Sequence, residues 1–487
     1  MNIRIRESAA VFILIYLIVL PVKSFSQEPE TVADTSEISL MFNVQERSFP
    51  ADLGHAVFGV TLGNVFINYL NRLADEPYGH TTFMTIWRDI RNPGWMWEEG
   101  DRFFVNNYMH PYHGSMYFAA ARVSGFNFYE SLIFAPLGAV MWEIAMEPGP
   151  ASINDVITTS LGGISVGEML HRLYLEALFS KSVAKRAAGA LISPMSGLAT
   201  LYNRPSRETG GGNIYRTVLR TGVNKTFAFL PGYEYYEASW DYPGGYLGLS
   251  VVYGDPFTQQ SSTPYDHFEF SLDVAYNIKT IQITFVSDGY LFSYNPIYTE
   301  RSILSTGLSM HCDIYYTAED ILDNHGHGNV MLGSNAIGWT LKNKRLLSEK
   351  SHLEFQAHAA VIVWGNSLYN SGNPTKSPWG NFSMEDLRGA YGAGEAVKLG
   401  FAFSNDKAGR LDLNANAYHL IAIPVNEKHS FGNLLFIYGA LDYSFPLGKT
   451  IGIGLKSTYW KMLGFYNEAN NVDRSIFSNC LYVRFLF

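Results

Sequence analysis

From about residue 214 to the end of the chain, apolar and polar side chains alternate with a period of two. Such a period belongs to extended strands whose two faces meet different surroundings. The clearest case is His267 to Tyr276. There Phe268, Phe270, Leu272, Val274 and Tyr276 point one way, and His267, Glu269, Ser271, Asp273 and Ala275 the other. Leu353, Phe355, Ala357, Ala359 and Val361 likewise alternate with His352, Glu354, Gln356, His358 and Ala360. In the last stretch Phe487, Phe485, Val483 and Leu481 share one face, while Arg484, Tyr482 and Cys480 share the other with Leu486. A wall with lipid outside and a polar lumen inside has this pattern. Strand starts fall near 218, 233, 245, 266, 279, 302, 329, 351, 393, 409, 432 and 450, with a segment from 474 closing the set. That is one more than an even barrel takes, so about twelve strands are expected and one early segment becomes linker. Connections alternate between tight ones, such as Asn277-Ile278-Lys279 and Phe445 to Gly448, and long ones, such as Gly365 to Gly389.

A soluble sandwich also alternates, but it leaves two further features unexplained. Aromatic residues reach 15% of the chain against 16% charged, as girdles at two membrane–water interfaces require. A final Phe on an alternating strand also resembles the assembly signal of bacterial outer-membrane barrels. The inward candidates Glu269, Asp273, His311, Asp313, Glu354, His358 and Arg484 carry both signs, so they can neutralise one another and plug the lumen. About twelve strands also enclose less space than the sixteen or eighteen of porins, which disfavours a general-diffusion pore. The net charge of −9 argues against nucleic acid as a partner. Two cysteines, Cys312 and Cys480, make no disulfide framework and are expected on opposite faces, unbridged.

The first half reads differently. Arg4 and Arg6 precede an apolar run from Ala9 to Val22, and Ser24-Phe25-Ser26 follows. Positive flank, short apolar core and small residues make residues 1–26 a cleaved secretory signal rather than a spanning anchor. Residues 27–50 are polar and acidic, a tether. From 51 to 212 the texture is helical, with candidates at Leu53–Leu73, Tyr108–Val123, Phe128–Met146, Ile153–Phe179 and Ser182–Leu191. Breaks fall at Pro77, Asn92-Pro93-Gly94, Gly125 and Pro148-Gly149-Pro150. Several helices are apolar nearly all round, which requires burial against one another or contact with a membrane. The expectation is a packed helical domain on the periplasmic side, with insertion at the barrel mouth or bilayer edge as the alternative.

The chemistry-bearing residues concentrate in this helical half. Trp95 to Ser115 packs aromatics, acids, amides and two histidines around a helix start at His110-Pro111. Glu143 and Glu147 stand four apart, Asp155 lies near the positive end of the next helix, and Glu168 and His171 stand three apart. This block resembles an uncharacterised bacterial family, the domain of unknown function 3943, over roughly residues 65 to 175. The resemblance rests on Trp95-Met-Trp97-Glu98, Asp101-Arg-Phe-Phe104, Asn107-Tyr-Met-His110-Pro111, Gly114-Ser115-Met-Tyr117, Ala121-Arg122 and Trp142-Glu143. It implies a helical module attached to an outer-membrane barrel and no mechanism.

Four readings of the cluster compete. Glu168-x-x-His171 with Glu143 and Glu147 has spacing used in helical di-metal sites, but those need two such motifs and one is present. In a hydrolase or acyl transferase, His110 or His113 is the base, Ser115 the nucleophile, and Glu143 or Asp155 the orienting acid. Ser115, however, lacks a Gly-x-Ser-x-Gly elbow and diverges from His113 on the helix. Trp95, Trp97, Tyr108 and Tyr112 can form an aromatic shelf for a glycan or lipid headgroup. In the plainest reading, Glu143, Asp155, Arg122, Asn107 and the histidines form one satisfied network that fixes helix packing. The chain is therefore expected to be α+β: an N-terminal helical domain (51–212), then an antiparallel transmembrane β-barrel of about twelve strands (213–487). The expected site is the bacterial outer membrane, with membrane lipid as partner and no cofactor. The expected role is non-catalytic, in envelope organisation or in binding or passage of a small envelope component. The alternative is a membrane-bound enzyme acting on envelope lipid or glycan.

Overall fold

A computed structural model describes residues 49–74, 79–97, 103–202, 213–229, 243–258, 261–277, 280–319, 327–370, 387–424, 431–467 and 471–487. The signal (1–26), most of the tether (27–50), the candidate strand near 233 and Glu98 to Arg102 lie outside the described residues. The chain divides into two compact units, with the boundary between Asn213 and Ile214.

The first unit is helical. Its α-helices are α1 (Phe49–Leu73), α2 (Phe83–Arg91), α3 (His110–Val123), α4 (Phe128–Ser131), α5 (Phe134–Ala145), α6 (Ile153–Leu178), α7 (Val183–Ile192) and α8 (Pro194–Tyr202). A single π-helical turn, Val105–Met109, leads into α3, and Pro111 occupies its first turn, where a missing N–H costs nothing. Thr82, Asn127, Ser152 and Ser182 cap α2, α4, α6 and α7, each accepting a backbone N–H three residues on. Two expectations need correction. Phe128–Met146 is two helices, because Pro136 cannot donate to Leu132 and its ring crowds that carbonyl. The helices α2 and α8 were not foreseen, α2 because its nine residues are too few for periodicity to show clearly.

Helices α3 and α6 cross at backbone contact. A Cβ on Gly114 would lie 1.9 Å from the Thr159 carbonyl oxygen, and one on Gly163 would lie 2.5 Å from the Gly114 carbonyl carbon. Only glycine permits this approach, which brings the polar side chains of both helices together in the interior.

The second unit is a closed antiparallel barrel of twelve strands. In chain order they are β1 (Ile214–Phe229), β2 (Gly244–Tyr253), β3 (Phe268–Tyr276), β4 (Thr280–Tyr298), β5 (Ser302–Glu319), β6 (His327–Ser348), β7 (Ser351–Asn370), β8 (Leu387–Asn405), β9 (Gly409–Ile423), β10 (Gly432–Pro446), β11 (Ile451–Tyr466) and β12 (Val472–Leu486). Each pairs with its sequence neighbour, and β12 pairs with β1 from Val218↔Leu486 to Phe229↔Ser475, leaving no edge. Strands β7 and β8 run further than the expected Gly365 to Gly389 loop allowed, since a bulge between Ile362 and Gly365 lets pairing resume. Tight turns are set locally. The Asn405 side chain accepts the N–H of Lys407 and Ala408 (3.0 and 2.8 Å), and Gly409 completes the turn at φ 92°.

Alternation sorts the two faces of the wall. On β10, Ile437, Leu441, Tyr443 and Phe445 are exposed, while Leu434, Phe436, Tyr438 and Asp442 are buried. Ile451, Ile453 and Leu455 continue the outer face on β11, and Leu481, Val483 and Phe487 on the final stretch. From Leu435 to Phe445 the apolar outer strip runs about 34 Å along the strand, or about 25 Å in height at the usual barrel tilt of about 40°. It stops at a polar row, in which His419 bonds Glu395 (2.8 Å) on one side and Asn433 (3.0 Å) on the other. Cys312 and Cys480 are both buried and both free.

Candidate functional site

The lumen of the barrel is occupied by its own side chains. Tyr315, Phe436, Tyr438 and Trp460 form one aromatic group, with Tyr315 ring centroids 4.7, 5.1 and 5.6 Å from the other three. Leu420, Leu434 and Met462, all fully buried, extend it. Beside it lie matched charge pairs. Lys398 Nζ is 3.0 Å from Asp313, which also accepts from the Tyr418 hydroxyl (2.9 Å). Lys342 stands between Glu269 and Asp288, 2.9 Å from each. Lys456 reaches Asp273 (2.6 Å), and Arg410 reaches Glu354 (2.7 Å) and Asp412 (2.9 Å). A charge excluded from water needs such a partner, and all of these pairs except Arg410–Asp412 tie different strands together.

The expected neutralisation therefore occurs, but not among the seven residues named from sequence. Of these, Arg484 donates to the Ser444 hydroxyl (2.8 Å), while the four carboxylates pair with Lys342, Lys398, Lys456 and Arg410. Inward parity would have found them: Lys398 and Arg410 share the parity of the buried residues on their strands. His311 and His358 pack edge to face at 5.1 Å and are linked through Ser309 and Thr340.

In the helical unit the expected single network resolves into three. The first gathers at the start of α6. Its cap, Ser152, lies in a short strip where Met96 and Trp97 pair with Ala151, Ile153 and Asn154. Glu143, near the end of α5, accepts the Ser152 N–H (2.8 Å). Asp155 Oδ1 accepts from Asn154 (3.0 Å) and lies 3.4 Å from His110 Nε2. Asn154 also donates to Asn106 (3.1 Å). The side chains of Asn106, His110, Glu143, Ser152, Asn154 and Asp155 are all buried. Burial, and then the Asp155 carboxylate, push the Glu143 carboxyl well above the usual carboxylate range. Glu143 thus holds its proton more tightly than an ordinary carboxyl, beside an imidazole–carboxylate pair.

The second network is a relay across three helices. Tyr117 donates to Asn64 on α1 (2.5 Å), and its hydroxyl meets His113 Nε2 at 2.6 Å. The His113 ring sits edge-on to Trp142, 4.6 Å between centroids. Burial, with His110 alongside, holds His113 well below its ordinary range, so it is neutral at pH 7. Burial likewise raises the Tyr117 phenol well above its own. The third network centres on Glu168. Arg122 binds it with two bonds (2.7 and 3.2 Å), and Arg172 adds one (2.9 Å). Burial alone would raise the Glu168 carboxyl, but the two guanidinium groups outweigh it and hold it below the ordinary value.

His110, Glu143 and Asp155 are thus brought together, whereas His113 works with Tyr117 and Asn64. The Ser115 hydroxyl donates to the Tyr112 carbonyl (2.5 Å) and pairs with neither histidine. Asn107 bonds the Phe103 carbonyl within its own helical turn (2.9 Å). Of the weak metal candidates, Glu147 lies beyond the end of α5 and accepts from Trp142 Nε1 (2.7 Å), while Glu168 is taken by the arginines. His171 is wholly buried beside it. Among the described residues, no three His, Cys, Asp or Glu side chains are placed to hold a metal. The four aromatics divide as well. Trp95 and Trp97 are exposed, Tyr108 is buried and stacks on Phe104 at 5.0 Å, and burial pushes the Tyr112 phenol up to about 12.

Residues 94–195 match the family described as "Domain of unknown function (DUF3943)". No curated protein matches the sequence. Among solved structures, an outer membrane channel from Pseudomonas putida F1 is similar, at 13% identity and a TM-score of 0.26, over 57% of this chain and 97% of that one. The outer membrane channel DcaP of Acinetobacter baumannii follows at 10% identity and TM-score 0.23, over 56% and 97%. A Pseudomonas aeruginosa FadL homologue gives 9% identity and TM-score 0.24, over 56% and 90%.

Proposed function

We propose that this chain is a bacterial outer-membrane protein whose barrel is a sealed anchor and whose helical module, on the periplasmic side, carries the function. The observation that carries this reading is the filled lumen. The matched pairs of Lys342, Lys398, Lys456 and Arg410, with the aromatic group around Trp460, occupy the space a channel would need. The apolar outer strip, about 25 Å tall, has the height of a membrane barrel's lipid belt. The role is non-catalytic: holding and organising an envelope component, a lipid or glycan, at the helical module. The test is electrical. Purified full-length protein in planar bilayers is expected to show no stepwise conductance at low voltage. Regular single-channel steps in the unmodified protein would replace the anchor with a pore.

A second reading has one observation in its favour. His110 against Asp155, with Glu143 nearby and its carboxyl held well above the ordinary range by burial, places an imidazole and two carboxyl groups in one buried cluster. That arrangement suits an enzyme acting on envelope lipid or glycan. Release of labelled product from envelope lipids or glycans by the native protein, lost in His110→Ala with the barrel still folded, would favour it over the scaffold.

A further inference from the structure

The helical unit is inside out. On α1 the amides Asn64 and Asn68 face inward, Asn64 donating to the Gly138 carbonyl (3.3 Å) and Asn68 to the Met146 carbonyl (2.7 Å). The opposite face of α1 exposes Leu53, Val57, Phe58, Val65, Phe66 and Tyr69. Helix α2 repeats the inversion. Asp89 is buried and paired with Arg88 (2.6 Å), while Phe83 and Met84 are 77% and 72% exposed and Trp87 and Ile90 share their face. Ile133 and Leu137 add exposed apolar surface on α5 and the residue before it, Leu137 preceding the Gly138 whose carbonyl Asn64 binds. A helix at the surface of a water-soluble domain does the reverse, and apolar patches of this extent mark a contact.

We infer that this face of the helical unit, built from α1 and α2, is immersed in lipid hydrocarbon. Three features select acyl chains over a protein partner. From Leu53 to Leu70 the helix carries no Asp, Glu, Lys or Arg, over about 26 Å of rise, close to the hydrocarbon thickness of about 30 Å. Charge returns at the two ends, as Asp52 and Arg72. On α2 the Arg91 guanidinium lies over the Trp87 ring, 4.4 Å from its centroid, an aromatic–basic pair of the kind that settles at a membrane–water interface. A protein-binding face concentrates its contact in a compact centre with a polar rim, whereas this one is a long, uniform strip. The inference rests on the membrane reading of the barrel, which puts a bilayer within reach of the same chain.

The test uses full-length protein with Cys312 and Cys480 replaced by Ser, reconstituted in vesicles of phosphatidylethanolamine and phosphatidylglycerol. Nitroxide labels are placed at Phe66→Cys and Val57→Cys on α1, and at Ile437→Cys on the outer wall of β10. Collision rates with oxygen, which partitions into lipid, are compared with those of a water-soluble nickel chelate. The α1 labels are expected to collide severalfold more often with oxygen, matching Ile437→Cys. Dominance of the nickel chelate at α1 means water, and shielding from both reagents means protein cover. Either result overturns the inference when Ile437→Cys still reads lipid. A water-exposed Ile437→Cys label would instead bring down the barrel reading beneath it. Phe66 and Val57 are exposed, so a folding defect at one position leaves the other to decide.

Discussion

Both units of this chain bury polar groups and expose apolar ones, yet they balance the buried charge differently. In the barrel the buried lysines described above have their carboxylates: Lys342 has two, Lys398 and Lys456 one each. In the helical unit Glu168 is balanced by two arginines and Asp89 by its neighbour Arg88. The group at the start of α6 is instead acid-rich, with Glu143 and Asp155 sharing one imidazole, His110. A matched lumen gains stiffness and has little reason to change state. In an acid-rich cluster burial holds one carboxyl above its ordinary range, so its contribution to stability changes with pH.

The comparison breaks most readily where the helical unit is balanced. Arg122→Leu leaves Glu168 buried with half its partners, and a loss of about 3–5 kcal/mol in unfolding of the helical unit is expected. Limited proteolysis against denaturant, with the barrel's heat-modifiable gel mobility as internal control, measures it. A loss below about 1 kcal/mol would mean that Arg172 alone suffices. In the lumen, Lys398→Ala unpairs Asp313 but leaves it the Tyr418 hydroxyl, so about 3 kcal/mol is expected. Urea unfolding in lipid vesicles reads this, and the helical unit's proteolysis pattern stays unchanged if the two units are independent.

Gly114→Ala tests the crossing that gathers the clusters. Its Cβ has no room against Thr159, so α3 and α6 must separate, at about 2 kcal/mol. The same substitution is expected to weaken the His110–Asp155 contact, seen as a change in the His110 imidazole resonance. Glu143→Gln addresses the acid-rich group through pH. A carboxyl whose folded value lies above its unfolded one stabilises the fold at pH below the ordinary carboxylate range of about 4.3. That contribution is lost as pH rises toward the raised folded value. The amide keeps an acceptor for the Ser152 N–H and removes the titration. Glu143→Gln is therefore expected to be more stable than the native chain near pH 7, with the advantage shrinking as pH falls toward 4. Glu168 runs the other way: its stabilisation is present above the ordinary range and lost as pH falls through its lowered value. Tyr117→Phe has the smallest expected effect, about 1 kcal/mol for its bonds to Asn64 and His113, read by thermal unfolding of the helical unit.

Much of the barrel was legible because its information is local. Period two states which side chains face out, and antiparallel neighbours joined by short turns make pairing follow chain order. The outward Leu481, Val483 and Phe487 and the inward Tyr482 were readable at the end of the chain for that reason. What alternation cannot say is which inward charge meets which. Lys342 comes to lie between Glu269 and Asp288 only after the wall closes.

The helical unit was less legible for the opposite reason. Helix positions followed from apolar runs, caps and breaks, and Asp155 stands near its helix start as expected. Spacing along one helix, however, proved a poor guide to partnership. Glu143 and Glu147 are four apart, yet one binds the Ser152 N–H and the other the Trp142 indole. Glu168 and His171 suggested a ligand pair, but Arg122, forty-six residues from Glu168, takes the carboxylate. These partners are set by where α3, α5 and α6 cross, and Gly114 and Gly163 set how closely α3 and α6 do so.

The amino-acid sequence by itself therefore determined the strand periodicity, the positions of the longer helices, and the excess of apolar surface in both halves. These depend on neighbours a few residues away. The tertiary structure alone decided that the lumen is full, that Glu143 and Asp155 face one histidine, and that the amides of α1 turn inward while its greasy side turns out. Each of those is a pairing across long sequence separations. Only closure of the wall or the crossing of helices brings such groups within hydrogen-bond range, where losing water makes a partner obligatory.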